Sequence, residues 1–351
     1  METPQHWVRV EGHSPHLGRS GGTLSVWGWS SESDADAEQV GRRRLAETLA
    51  RIEREGRLTP GHGYYPRTPL REPVLEEVTS ADGRRIGVVT RNRMGCEVLC
   101  SDVLLIADVD VAELADEVPA TALRPPAHAR SGGIGSLLRR FLLGRPDPTP
   151  QTPGVEDAAG LDEPESPALP STGYEAYPVD PAEPEAGPRV TATGPETPSV
   201  AECLAAEPAW EFARTHPDLG VRVYRTAAGL RVIVTGADAA PASESTRRIL
   251  TELGTDPLYV ELCATHDSYR ARLTPKPFRV GEPALAVRWP CADEEQERQW
   301  LSWVDRYEVA SAGAAVCRLI SASGPVPGAD EQRLVELHDE RTGVGVKAPL
   351  A

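Results

Sequence analysis

The chain has 351 residues, of which 40% are hydrophobic, and its formal net charge is −16. Such an acidic balance excludes a generally basic nucleic-acid coat, although a local cationic groove can exist on an acidic protein. The 33 prolines and 31 glycines indicate that the packed part is smaller than the whole chain. No window approaches the roughly 18 to 20 apolar residues of a membrane span, and the N-terminus lacks the apolar core of a signal peptide, so we expect a cytoplasmic location and no membrane span.

Residues 1–124 predict one amphipathic helix followed by consecutive strands. Val40, Leu45, Leu49 and Ile52 recur near helical spacing, and Gly56 ends the pattern. Three strand-like runs follow with short turns between them, which favours an antiparallel meander: VLEEVTS, RRIGVVTRN and CEVLCSDVLLIADVDV. The last run is the most apolar, so it is predicted to be the most central strand.

Residues 125–199 predict a disordered linker or insert. From Pro146 to Pro198 the sequence has 13 prolines and 11 acidic residues against one basic residue, Arg189. Such a segment cannot bury enough apolar surface to offset its chain entropy. Just before it, residues 132–145 form a short apolar and cationic segment, which is either a helix that docks on a partner or membrane surface or a helix that folds back on the domain. A protein partner could bind through residues 132–198.

The sequence of residues 200–351 predicts further helices and strands, with helix signals at 199–216, 243–253 and 293–313 and paired strands on either side of Thr226 to Gly229. The first segment alone has too little helix to cover its strands. The two segments are therefore expected to form one α+β domain, mainly an antiparallel sheet with flanking helices, which the insert interrupts.

Two aspartates end the most apolar run. Asp108 and Asp110 lie two residues apart, so on a strand their carboxylates share one face. Two carboxylates about 4 Å apart repel by roughly 4 kcal/mol at an effective dielectric constant near 20. A divalent cation with oxygen ligands, Mg²⁺ or Mn²⁺, would offset that repulsion. Alternatively, the strand has reached solvent there, and Asp110 caps a short helix.

A cationic strand is the second candidate site. In SYRARLTPKPFR, alternation places Arg270 and Arg272 on one face, with Lys276 and Arg279 just beyond. Guanidinium groups suit phosphate oxygens and carboxylates alike, so the strand predicts either a phosphate site or surface ion pairs. Between the two candidate sites, the YRTAAGLRVIVT hairpin could bring Arg231 and a small, open turn close to a ligand.

The order of these motifs resembles that of the archaeo-eukaryotic primase superfamily, the primase-polymerases. The resemblance rests mainly on LLIADVDV, in which Asp108 and Asp110 match the paired metal-binding acids. It implies that Asp305, in WVDRYE, is the third acid, and that Arg231 stands where that family has a nucleotide-contacting histidine. The implied activity is nucleotidyl transfer assisted by Mg²⁺ or Mn²⁺.

Two hypotheses about function follow. The first is a metal-dependent enzyme that acts on nucleotides or nucleic acid, with Asp108, Asp110 and Asp305 as catalytic acids; its phosphate-binding residues would be Arg231, Arg270, Arg272 and Lys276. The second is a non-catalytic binding or regulatory protein that uses its disordered insert to engage a partner.

Overall fold

The computed structural model describes residues 1–16, 22–55, 69–111 and 199–351, and this part is an α+β fold. The predicted insert, 125–199, and its cationic segment, 132–145, lie outside the described residues apart from position 199. The described strands are β1 (His6–Ser14), β2 (Gly22–Ser30), β3 (Val74–Thr79), β4 (Arg85–Arg91), β5 (Glu97–Ser101), β6 (Leu105–Asp110), β7 (Gly220–Thr226), β8 (Gly229–Thr235), β9 (Tyr269–Arg272) and β10 (Cys317–Ser323). The described α-helices are α1 (Asp34–Glu55), α2 (Val200–Thr215), α3 (Glu244–Glu252), α4 (Pro257–His266), α5 (Glu294–Ser311) and α6 (Ala329–Arg341).

The α1 helix packs on the β1–β2 hairpin. Leu24 and Val26 of the hairpin form a small core with Leu45 and Ile52 of the helix. Gly28 permits this close packing, because a Cβ atom there would lie 1.9 Å from the carbonyl oxygen of Ala37. The predicted helix is confirmed, but the hairpin was not predicted, although Leu24, Val26 and Gly28 alternate as strand residues do.

Two four-stranded antiparallel sheets form the rest of the strand framework, with the orders β3-β4-β5-β9 and β10-β7-β8-β6. Each sheet takes strands from both sides of the interval 112–198. Strand β9 pairs with β5, and β8 pairs with β6. The sheets come close to each other where β6 of one meets β9 of the other.

The predicted strand over residues 96–111 is two strands in different sheets. A turn follows β5, in which the Ser101 hydroxyl accepts a hydrogen bond from the backbone N–H of Val103, and β6 then enters the second sheet. The prediction of a central position holds for β5, which lies between β4 and β9, but is wrong for β6, which among the described strands pairs only with β8 and forms an edge. Its apolar residues are buried by the main core rather than by a strand on each side. The predicted meander is confirmed for β3, β4 and β5.

The predicted helices of the second half are present. Ser199 and Ser243 cap α2 and α3 through hydrogen bonds from backbone N–H groups to their hydroxyls, as expected for helix N-termini. The WVDRYE segment lies within α5. Among the described residues, no helix is long and apolar enough to cross a membrane.

Candidate functional site

A small cleft lies at the end of β6, where the two sheets meet. We call it the β6 cleft; its volume is about 60 Å³, and it is lined by Asp108, Asp110, Arg231, Arg272, Lys276, Arg279 and the 226–229 turn, among others. About 30 Å³ corresponds to one water molecule in the liquid, so the cleft holds one small polar group rather than a whole nucleotide. The structure therefore brings the predicted acid pair together with three of the four predicted phosphate-binding residues.

The buried Arg231 side chain connects several of the residues around the β6 cleft. Asp108 and Arg231 are directly paired across β6 and β8, and Arg231 is only 1% exposed. Its Nε donates to the Asp108 Oδ1 atom at 2.9 Å, and its Nη1 donates to the Arg272 carbonyl oxygen at 2.9 Å. The same Nη1 lies 3.3 Å from the Nε2 atom of the fully buried His338. Arg231 therefore positions Asp108 and the end of β9.

Asp110 lies beside two other carboxylates. Desolvation raises its pKa, and the charges of Asp256 and Asp108 raise it further, while Lys276 and Arg272 act in the opposite direction. Asp256 is the N-cap of α4, and its backbone N–H donates to the Asp108 carbonyl oxygen at 3.1 Å. Asp256 is thus a third acid beside the cleft, although it does not line it. It was not predicted from the sequence, and the helix cap before Pro257 was its local signal.

The opposite wall is cationic. Arg272 ends β9, and Lys276 and Arg279 follow around the 3₁₀ turn Pro277–Val280. Within the described part of the chain, these three side chains take part in no hydrogen bond or ion pair. Desolvation lowers the pKa of Lys276 to about 8, and the charges of Arg272 and Arg279 contribute to that shift. Desolvation and Arg272 likewise lower the pKa of Arg279 to about 10. The wall therefore carries positive charge that no side chain neutralises directly.

Two predicted site residues lie elsewhere. Arg270 does not share a site with Arg272, because its Nη2 donates to both carboxylate oxygens of Glu72, at 2.9 and 2.8 Å, in a buried pair. Asp305 is exposed on α5 and does not line the β6 cleft. The position of Glu72, 198 residues away from Arg270 in the chain, has no signal in the local sequence.

Carboxylates are suitable ligands for Mg²⁺ and Mn²⁺, but some carboxylate oxygens in and beside the β6 cleft already accept hydrogen bonds. Asp108 Oδ1 accepts from Arg231, and Asp256 Oδ1 accepts from the backbone N–H of Leu258 at 3.0 Å. No group of three or more metal-ligating side chains is found in residues 1–16, 22–55, 69–111 and 199–351.

Comparisons with known proteins add no assignment to this geometry. No protein-family model, no curated protein and no solved structure matches the chain. The case for a function therefore rests on the cleft itself.

Proposed function

We propose that the protein binds a phosphate group of a nucleotide or nucleic acid in the β6 cleft. The observation that carries this proposal is the cationic wall of Arg272, Lys276 and Arg279, whose side chains take part in no hydrogen bond or ion pair with the described residues. Desolvation, and then repulsion by Arg272 and Arg279, lowers the pKa of Lys276, and a bound phosphate would offset that repulsion. Guanidinium and ammonium groups form strong charge-assisted hydrogen bonds to phosphate oxygens.

The size and lining of the cleft favour a phosphate over a larger anion. Its volume is about 60 Å³, and small residues, Ala227, Ala228 and Gly229, form one side. The three positive charges of the wall are more than one carboxylate would neutralise. Asp108 and Asp110 would repel any part of a larger anion that lay on their side of the cleft. The sugar and base of a nucleotide would therefore lie outside the cleft.

Metal-dependent nucleotidyl transfer, which the primase-polymerase resemblance implies, stays a prediction. The crowding of Asp108, Asp110 and Asp256 supports it, because a divalent cation arriving with a phosphate ligand would relieve their repulsion. Asp305 is too exposed on α5 to be proposed as the third acid. Calorimetry with Mn²⁺ and a nucleoside triphosphate should show metal-dependent heat that Asp110→Ala abolishes; unchanged heat would remove this candidate.

That residues 132–198 bind a partner stays a prediction, because this segment lies outside the described residues. A cytoplasmic location also stays a prediction. Deleting residues 126–199 tests the former. Loss of partner capture with phosphate binding retained would support an adaptor role for the segment.

Phosphate binding is tested with tripolyphosphate and a single-stranded oligonucleotide as probes. We expect Arg272→Ala and Lys276→Ala each to weaken binding by about tenfold or more, because each removes a charge-assisted contact of about 1.5 to 3 kcal/mol. Arg42→Ala is the matched control, since Arg42 is an exposed cation on α1 whose side chain pairs with Glu38. Equal losses in the control, or no loss in either cleft variant, would contradict the proposal.

The affinity for tripolyphosphate should fall as the pH rises. Lys276 in the free protein has a pKa of about 8, so it carries its charge at pH 7 and loses it above pH 8. A bound anion favours the charged form and raises that pKa. We expect a decline in affinity between pH 8 and pH 9 that is absent in Lys276→Arg. A flat profile in the unmodified protein would show that Lys276 does not contribute.

A further inference from the structure

A second and much larger cavity is lined by Arg270 of β9. Its volume is about 830 Å³, and it shares no lining residue with the β6 cleft. Arg270 of β9, Glu72 and Thr90 belong to its inner part, and Trp29 and the end of α4 border it. Its size falls within the range of about 300 to 1,000 Å³ that is typical of small-molecule sites. The phosphate proposal does not use this cavity, which contains Arg270 but no other predicted site residue.

The inner part of the cavity is a buried, charge-balanced ion pair. Arg270 and Glu72 are 8% and 9% exposed, and Thr90 adds a hydrogen bond from its hydroxyl to the Glu72 Oε2 atom at 2.6 Å. The Arg270 Nη1 atom is enclosed and has no hydrogen-bond acceptor in the structure as described. A buried, unpaired donor is costly, so an acceptor supplied by a ligand would be stabilising once the guanidinium turned Nη1 toward the cavity. The hydrogen-bond donors of the Arg270 guanidinium are therefore adjacent to the acceptors of the Glu72 carboxylate.

The rim of the cavity disfavours anions. Burial, together with the charge of Arg270, lowers the pKa of His266 to about 4, so this imidazole is uncharged at neutral pH. The side chain of Arg247 pairs with Glu261 at 2.9 Å, the N-terminal ammonium of Met1 lies 3.5 Å from Asp267 Oδ2, and Glu2 is a further acid of the rim. The rim therefore has a negative balance, whereas the β6 cleft has a positive wall.

We propose that this cavity binds an uncharged planar amide or heterocycle, with its carbonyl oxygen toward Arg270 and an adjacent N–H toward Glu72. Such a molecule has a hydrogen-bond acceptor for Arg270 next to a hydrogen-bond donor for Glu72. Trp29 also lines the cavity, and the Arg44 guanidinium lies over its ring at 4.3 Å from the centroid. This inference does not rest on the proposed phosphate site, because the two sites have different residues and opposite charge preferences.

The matched probes are nicotinamide and nicotinate, which have the same ring and differ in the amide and the carboxylate. We expect titrations followed by saturation-transfer NMR to give a dissociation constant for nicotinamide about tenfold or more below that of nicotinate, because the anion adds repulsion and cannot donate to Glu72. Equal or tighter binding of nicotinate would overturn the proposal. So would the absence of binding by both nicotinamide and cytidine at their solubility limits.

Location is tested by filling the cavity. Ala264 of α4 lines it, and Ala264→Trp should abolish nicotinamide binding while tripolyphosphate binding persists. Thr265→Phe serves the same purpose if the tryptophan variant does not fold. Lys276→Ala should leave nicotinamide binding unchanged, so failure of one site is separable from failure of the other. Nicotinamide binding that survives a folded filling variant would overturn the assignment.

Discussion

Arg231→Met is expected to lower the free energy of unfolding by about 3 kcal/mol, because it leaves several buried partners unsatisfied. The variant removes the donors to Asp108 and to the Arg272 carbonyl oxygen and the close neighbour of His338. Breaking a buried ion pair costs about 3 to 5 kcal/mol, and the lower end applies because the Asp108 side chain keeps 36% exposure. Urea denaturation measures the change.

Arg306→Met is the control for this substitution. Arg306 is 53% exposed, and its side chain lies 3.7 Å from Glu282, so we expect a change below about 0.5 kcal/mol. Arg231→Lys should lie between the two, because lysine keeps the charge but cannot bond several partners through a planar fork. Equal midpoints for Arg231→Met and the unmodified protein would show that Arg231 does not hold the site together.

Gly229→Ala is expected to have the second-largest effect, with about 2 kcal/mol of lost stability and a loss of tripolyphosphate binding. Gly229 lies opposite Asp110 in the pairing of β6 and β8. A Cβ atom at this position would lie 2.1 Å from the Val109 carbonyl oxygen, and that oxygen belongs to the backbone, so the strands must separate. Chemical denaturation and calorimetry measure the two effects.

Gly313→Ala provides the matched control, since no atom lies within 4 Å of a Cβ atom built there. We expect its stability and phosphate binding to equal those of the unmodified protein. If Gly229→Ala also kept the stability and phosphate binding of the unmodified protein, the turn would accommodate a Cβ atom. The inference that Gly229 shapes the cleft would then be wrong.

Local patterns were sufficient to predict much of this fold. Ser199 and Ser243 precede their helices as caps, and Asp108 and Asp110 end an apolar strand, so each could be recognised from a few neighbouring residues. The basic residues after Tyr269 were likewise readable as one cluster. Such features depend on periodicity and capping, which act over one or two turns of chain.

Long-range pairing could not be predicted in the same way. Alternation predicted that Arg270 and Arg272 share one face of the strand and one site. In the structure Arg270 pairs with Glu72 and lines the large cavity, whereas Arg272 lines the β6 cleft. Arg231 had a signal that was not used: an arginine inside the buried run GLRVIVT requires a buried acceptor. Asp305 was assigned by motif order alone, and its helix places it at the surface.

Helix α4 borders both candidate sites at its opposite ends. Asp256 caps its first turn beside the β6 cleft, and His266 ends it at the large cavity. Ten residues at 1.5 Å each make this helix about 15 Å long. The two sites share no lining residue, so two small ligands could occupy the protein together.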